Sequence, residues 1–265
     1  MASRAMRLEV SLPRNYTRVD EPEAMLIARS DVVDGVRNAY RSAPPDAPTL
    51  HGFASRVPTA RVLQGRAAAY VITLPGTDRS AVVRHNRHGG ALRALTGDLF
   101  LGATRAPREL DIALTLHALG IPTPPLLAYA VYPAGSGFAR SDVVTEEIPD
   151  STDFGALLLA TSPGSDERRK GWNATSRLMK RLAAAGIRHH DFNVKNVLLR
   201  RTVDDLFTGY VVDVDRIEFD CTRRDAFAGN RARMRRSVEK WRDTRGATIT
   251  TEEIDALRRT GTSTP

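Results

Sequence analysis

Lysine is missing from the first 169 residues of this 265-residue chain and occurs only at Lys170, Lys180, Lys195 and Lys240. A strand-borne lysine that grips phosphates is therefore excluded from the first half. Cysteine is as scarce: Cys221 stands alone, which rules out an internal disulfide and fits a reducing compartment. No apolar run approaches the roughly 20 residues of a membrane span. Met1 to Val10 carries arginines but no long apolar core, so no secretory signal is expected. Zinc spacings, an RNA-binding aromatic pair and a long basic arm are all missing, so nucleic acid is not an expected partner.

What is present is 42% hydrophobic residues, enough for a sizeable core, and a formal net charge of +8 carried almost wholly by arginine. That charge suits anionic partners such as a nucleotide or anionic lipid. A cytoplasmic protein is expected, with peripheral contact at the inner face of the inner membrane left open. No obligate protein partner is evident.

The most informative stretch is His189-His190-Asp191-Phe192-Asn193-Val194-Lys195-Asn196, followed by Val211-Val212-Asp213-Val214-Asp215-Arg216. It fits the kinase-fold pattern His-x-Asp-x-x-x-x-Asn with a later strand-end Asp. Asp191 takes the slot of the base that accepts the acceptor hydroxyl's proton, and Asn196 and Asp213 take those of the magnesium ligands. Magnesium prefers oxygen donors, which an amide and a carboxylate provide. Asn196 to Leu199 and Tyr210 to Val214 read as two strands around a polar turn, a hairpin that would bring Asn196 and Asp213 together.

Upstream, Ala69 to Leu74 and Ser80 to Arg84 read as strands around the turn Pro75-Gly76-Thr77-Asp78. Arg84 is the strand-end cation there, and a guanidinium can clamp phosphate oxygens without losing its charge. Pro107 to Leu119 reads as a helix whose first turn holds Glu109, the expected partner of Arg84. The segment Arg84 to Gly90, with Arg87 and His88, is a basic loop ending in glycines that suits an acidic substrate or membrane phosphates. A nucleotide-covering loop is expected at Gln64-Gly65-Arg66, although one glycine stands where protein kinases have three. Val143 to Pro149 reads as a strand running into a hinge, where backbone groups near Glu147 would meet adenine.

Lys170 to Ala185 reads as a helix with Trp172 and Met179 in the core. Another helix is expected from Asp225 to Arg245, with Phe227, Met234, Val238 and Trp241 on one side. It would pack on the second lobe or lie on anionic membrane. Residues beyond Thr250 are polar and expected to fray.

With these segments together, the chain resembles the lipopolysaccharide kinase family, which includes the 3-deoxy-D-manno-octulosonic acid (Kdo) kinases and the core heptose kinases. The resemblance runs from about Leu63 to Arg216; no pattern in residues 1–62 joins it. It rests on Leu63 to Arg66, Val83 to Gly90, Arg108-Glu109-Leu110, Thr145 to Pro149, the loop at 189–196 and Asp213 to Arg216. The resemblance implies an α+β, two-lobed protein-kinase-like fold, with a β-rich N-terminal lobe at 1–145 and a compact, mainly helical C-terminal lobe at 146–265. It also implies ATP and Mg2+ as cofactors and phosphorylation of a sugar hydroxyl on Kdo or the inner core of a lipopolysaccharide precursor. Gly65, Arg66, Arg84, Glu109 and Glu147 would then hold the nucleotide. Arg87, His88, Asn193 and Lys195 are the candidate acceptor contacts. The missing Ala-Pro-Glu segment and the 52 residues left after Asp213 argue against a regulated protein kinase. A soluble small-molecule kinase resembling aminoglycoside phosphotransferases and a non-catalytic kinase-like scaffold are the alternative readings.

Overall fold

The computed structural model describes residues 12–63, 68–87, 98–101 and 105–257, and the chain divides into two compact units. The first comprises residues 1–111 and 125–147 and is built on an antiparallel sheet. Its strands are β1 (Tyr16–Glu21), β2 (Ala24–Arg29), β3 (Arg61–Leu63), β4 (Ala69–Thr73), β5 (Ser80–His85), β6 (Phe100–Leu101), β7 (Leu126–Pro133) and β8 (Phe138–Glu146). They run in the order β1-β2-β7-β8-β5-β4-β3, with β6 on β8. The β4–β5 hairpin forms where the sequence places it, with Ala69 opposite Arg84 and Thr73 opposite Ser80.

Residues with no recognisable sequence pattern complete this unit. Helices α1 (Val33–Arg41) and α2 (Leu50–Arg56) bury Val36, Ala39, Leu50 and Ala54 against Ile72, Leu74, Ala81, Val83 and Leu127 of the sheet. Tyr16 of β1 donates its hydroxyl to the carbonyl of Leu126.

Helix α3 (Arg105–Ala118) belongs to the first unit through Asp111 and to the second from Ile112. It begins two residues before the expected Pro107, so Glu109 lies in its second turn rather than its first. Proline fits a first turn because its missing N–H would have had no partner there. Gly120, at φ 66°, ends the helix: its N–H reaches the carbonyl of His117 while that of Ile121 reaches Leu116.

The second unit, residues 112–124 and 148–265, is mainly helical. It contains α4 (Phe154–Ala160), α5 (Asp166–Ala184), α6 (Arg223–Arg245) and α7 (Thr251–Ala256). Strands β9 (Ser151–Asp153), β11 (Val197–Arg201) and β12 (Phe207–Val211) form one small sheet; β10 (Arg188–His189) and β13 (Ile217–Glu218) pair in another. Leu178, Met179, Leu182, Phe192, Val197, Leu199, Val211, Met234 and Val238 share its core. The α+β arrangement expected above, a β-rich unit and a mainly helical one, is the one observed. Of the two readings of α6, packing is what the structure shows: Ala226, Asn230, Met234 and Val238 are buried.

The expectation of a frayed end after Thr250 is corrected over residues 251–257. Thr250 and Glu253 form a reciprocal capping box, and Ile254 and Leu257 are buried. Glu253 also meets Arg168 of α5, whose side chain is only 1% exposed. The approach of Arg168 Nε to Glu253 Oε1, 2.8 Å, is a charge contact without hydrogen-bond alignment. Further donors of Arg168 reach the carbonyls of Thr161 (2.7 Å) and Thr248 (2.6 Å), and Trp172 Nε1 donates to Glu253 (2.9 Å). The tail folds because a buried guanidinium requires a counter-charge, which sequence periodicity does not register. Glu253→Ala leaves that charge uncompensated, so it is expected to destabilise the protein by about 3 kcal/mol, read by denaturant titration.

Candidate functional site

The segment 188–196 leaves β10 and enters β11, and side chains rather than a strand ladder satisfy much of its backbone. His189 is fully buried. Its Nε2 faces the carbonyl of Val212 at 3.2 Å and must donate; its Nδ1 accepts the N–H of Asp191 at 3.1 Å. Those two bonds define a neutral imidazole. Burial, the largest influence, lowers its pKa below the ordinary value against the raising effects of the Val212 carbonyl and of Asp213, Asp191 and Asp215. The ring thus ties the loop to the strand end that leads to Asp213.

Asn193 and Asn196 set the turn. Asn193 Oδ1 accepts the N–H groups of Lys195 (2.9 Å) and Asn196 (3.3 Å), while its Nδ2 donates to the carbonyl of Asp191 (2.9 Å). The structure therefore shows Asn193 engaged inside the loop, where sequence reasoning had it touching an acceptor. Asn196 Nδ2 donates to the same Asp191 carbonyl at 2.9 Å, so its Oδ1 is directed elsewhere. In the hairpin, Val197 pairs with Val211, and the N–H of Val212 reaches the carbonyl of Asn196 at 3.1 Å. That register brings Asn196 beside the approach to Asp213.

Asp213 is exposed, with left-handed backbone at φ 59° and ψ 52°. Aspartate tolerates this conformation better than most residues, and such strain gathers at functional positions. An oriented amide oxygen and an exposed carboxylate suit a hard divalent ion, which takes one or two protein oxygens plus phosphate and water. Among the described residues no group of three or more His, Cys, Asp or Glu could hold a metal.

Helix α6 supplies what sequence reasoning missed. Asn230, fully buried, accepts the N–H of His189 (2.8 Å) and donates to the carbonyl of Ile187 (2.9 Å). Arg233 forms an ion pair through Nη2 with Asp191 Oδ1. Ser237 accepts the N–H of Val194 at 3.2 Å, and the Trp241 ring lies 6.0 Å from the ammonium of Lys195. Positions 230, 233, 237 and 241 fall on one helical face. The legible signal was Asn230, a polar residue at four-residue spacing within the otherwise apolar stripe Ala226, Met234 and Val238.

In the first unit, Arg84 of β5 forms an ion pair with Glu109 of α3, a carboxylate only 4% exposed. The adjacent His85 points into a second cluster that the sequence did not announce. Its Nδ1 meets Asp142 Oδ1 at 2.6 Å and its Nε2 meets Asp98 Oδ2 at 2.9 Å. Asp142 Oδ2 also accepts from the His51 N–H (2.8 Å) and the Tyr132 hydroxyl (2.9 Å). Burial, the largest single influence on His85, lowers its pKa; Asp142 and Asp98 together outweigh it, and the net shift is upward. Glu147 is engaged by the Arg61 guanidinium and the Ser80 hydroxyl, and its N–H donates to the Ser80 carbonyl at 2.9 Å. That N–H is thus occupied by Ser80. Arg87 and Lys195 are exposed. Gly65, Arg66 and His88, with Gly89 and Gly90, lie outside the described residues.

A sequence model of the lipopolysaccharide kinase (Kdo/WaaP) family matches residues 62–260. The chain is 31% identical over 168 residues to a 3-deoxy-D-manno-octulosonic acid kinase of Actinobacillus succinogenes, covering 61% of this chain and 66% of that protein. It is 28% identical over 170 residues to one of Haemophilus influenzae, with the same coverage of each. The matched stretch thus spans just under two thirds of these relatives. A solved structure of WaaP in complex with acyl carrier protein covers 76% of this chain and 80% of its own, at 18% identity and a TM-score of 0.47. Strands β1 and β2 and helices α1 and α2 precede the matched span.

The two buried histidines predict pH effects of opposite sign. His85, raised above 6.5, contributes stability that is fully present below that pH and is lost as pH rises through its folded value. His189, lowered below 6.5, contributes none of this; its neutral fit costs stability as pH falls from 6.5 through its folded value. Denaturant midpoints between about pH 7 and pH 9 should fall in the wild type and fall less in His85→Gln.

Proposed function

Because this chain belongs to the lipopolysaccharide kinase (Kdo/WaaP) family, we propose that it uses ATP and magnesium to phosphorylate a sugar hydroxyl of a lipopolysaccharide precursor, on Kdo or the inner core. The first unit is the nucleotide lobe and the second the catalytic lobe. The observation that carries the reading is the construction of the loop at 189–196. A neutral buried histidine, two asparagines and one helix face fix Asp191 and Asn196 in a single turn, beside the strand that delivers Asp213.

Phosphoryl transfer asks the protein mainly to position groups and offset charge. Asp191 accepts the proton as the acceptor's O–H bond breaks. The freed oxygen pair forms the new bond to the γ-phosphorus, the bond from phosphorus to the bridging oxygen breaks, and ADP leaves with the electron pair of that broken bond. Arg84, held by Glu109, grips nucleotide phosphates as a permanently charged fork that a lysine would not reproduce. Asn196 and Asp213 are the residues to hold magnesium, which when bound draws charge from the phosphate oxygens.

Peripheral contact with anionic lipid is part of this reading. Arg223, Arg224, Arg236, Lys240, Arg242 and Arg245 of α6 are exposed, and among the described residues no helix is long and apolar enough to cross a membrane.

The test is transfer of labelled γ-phosphate from magnesium ATP to a Kdo-bearing lipid A precursor, with soluble aminoglycosides and basic proteins as competing acceptors. Labelling of the glycolipid is expected, and Asp191→Asn should lower it by about 10²–10⁴-fold while ATP binding persists. Undiminished labelling in that variant removes Asp191 from its role; labelling of the soluble acceptors alone removes the glycolipid.

A further inference from the structure

His85 follows Arg84 on β5, and its ring lies on the opposite face of the sheet between two carboxylates. Nδ1 meets Asp142 Oδ1 at 2.6 Å, and Nε2 meets Asp98 Oδ2 at 2.9 Å. Charged and titratable groups from the neighbouring elements complete the cluster. From β8 come Asp142, fully buried, and Arg140, whose Nε meets Asp98 Oδ2 at 3.0 Å. The Tyr132 hydroxyl of β7 and the His51 N–H of α2 donate to Asp142 Oδ2, and the His51 ring stands 5.7 Å from that of His85. Among the described residues Asp142 forms its ion pair with His85. Burial is the largest influence on His85 and opposes its charge; Asp142 and Asp98 together outweigh it, so the ring keeps its proton to above pH 6.5.

Strand β5 does not need this ring to stay on β8. Arg84 pairs with Val143 in the ladder, and Asn86 bonds Ser141 through its backbone N–H (2.9 Å) and its side chain (3.1 Å). What His85 adds is its hold on Asp98, and Asp98 leads toward α3. Two residues on, Phe100 pairs with Ala139 of β8, and the guanidinium of Arg105, the first residue of α3, lies 5.6 Å over the Phe100 ring. Glu109 follows one turn later. A neutral imidazole has one N–H and one lone pair, whereas a carboxylate only accepts. With the proton gone, one of the two carboxylates therefore faces a lone pair. Buried Asp142 keeps the donor, because an unpaired carboxylate there is costly. Asp98, 31% exposed and beside Arg140, turns to water instead.

We propose that the His85 imidazolium is a positioning residue for nucleotide binding. By holding Asp98 to Asp142 it fixes the chain that enters α3, and with it the Glu109 carboxylate that orients Arg84. Nucleotide affinity is then linked to the proton on His85. This inference rests on the reading of Arg84 as the nucleotide clamp.

Titration calorimetry with magnesium ADP on the full chain, between about pH 6 and pH 9, tests it. Affinity in the wild type should be highest below pH 6.5 and fall by about 10-fold as pH rises through the folded value of His85. By reciprocity, binding near the midpoint of that fall should take up protons from the buffer. His85→Gln cannot titrate and should lose the pH dependence. Asp98→Asn should hold its affinity across the range, since an amide can donate to the neutral ring and accept from the charged one. Arg84→Met should bind more weakly and without the fall. Thermal unfolding at each pH checks that every variant is folded. Affinity in the wild type that is constant with pH, or a fall that persists in His85→Gln, Asp98→Asn or Arg84→Met, overturns the proposal and leaves the nucleotide lobe standing. No binding of magnesium ADP by the folded wild type at any pH overturns the nucleotide lobe itself, and this inference with it.

Discussion

A loop keeps one shape only when its own backbone is satisfied, and in this protein helix α6 satisfies much of the loop at 188–196. Asn230 covers His189 and Ile187, Arg233 meets Asp191, Ser237 covers Val194, and Trp241 lies near Lys195. The order of contacts along the helix follows the order of residues along the loop, so one rigid element holds the whole turn. What keeps the helix there is apolar burial: Ala226, Met234 and Val238 are fully inside the core. Packing and chemistry are therefore coupled, since any shift of that stripe moves the partners of the loop.

The buried histidines show how one residue type is set to two different charge states by its neighbours. His189 faces a carbonyl and an N–H, a pairing that accommodates only the neutral ring. His85 faces two carboxylates, Asp142 and Asp98, which call for the cation. The second arrangement lies in the strand position immediately after Arg84 and holds β5, β8 and α2 together through Asp142 and the His51 N–H. Two adjacent residues of one strand thus face different tasks, because successive side chains point to opposite sides of a sheet.

An arginine on β5 has a physical consequence in the first unit. The Arg84–Glu109 pair joins a half-buried guanidinium to a nearly buried carboxylate, so removal of either partner leaves a charge in poor solvent. The guanidinium stays charged at every physiological pH, and its planar fork fixes the directions of its donors.

Local pattern determined a good deal of this protein. The hairpin at Val197–Arg201 and Phe207–Val211, the β4–β5 hairpin, the helices around Arg105–Ala118, Asp166–Ala184 and Arg223–Arg245, and the pairing of Arg84 with Glu109 were all legible from residue spacing, turn residues and motif. These features depend on neighbours within a few residues or on a motif whose parts keep fixed distances in the chain. Only the tertiary structure decided the rest. Strands β1 and β2 belong to the sheet through β7, more than 90 residues away, with Tyr16 bonded to Leu126. Helix α7 exists because Glu253 answers the buried charge of Arg168. Arg233 meets Asp191 across 42 positions, and Asn193 turns inward to its own loop instead of outward. Spacing encodes which face of an element a residue occupies, but which distant partner a polar side chain finds is set by where the core brings the elements together.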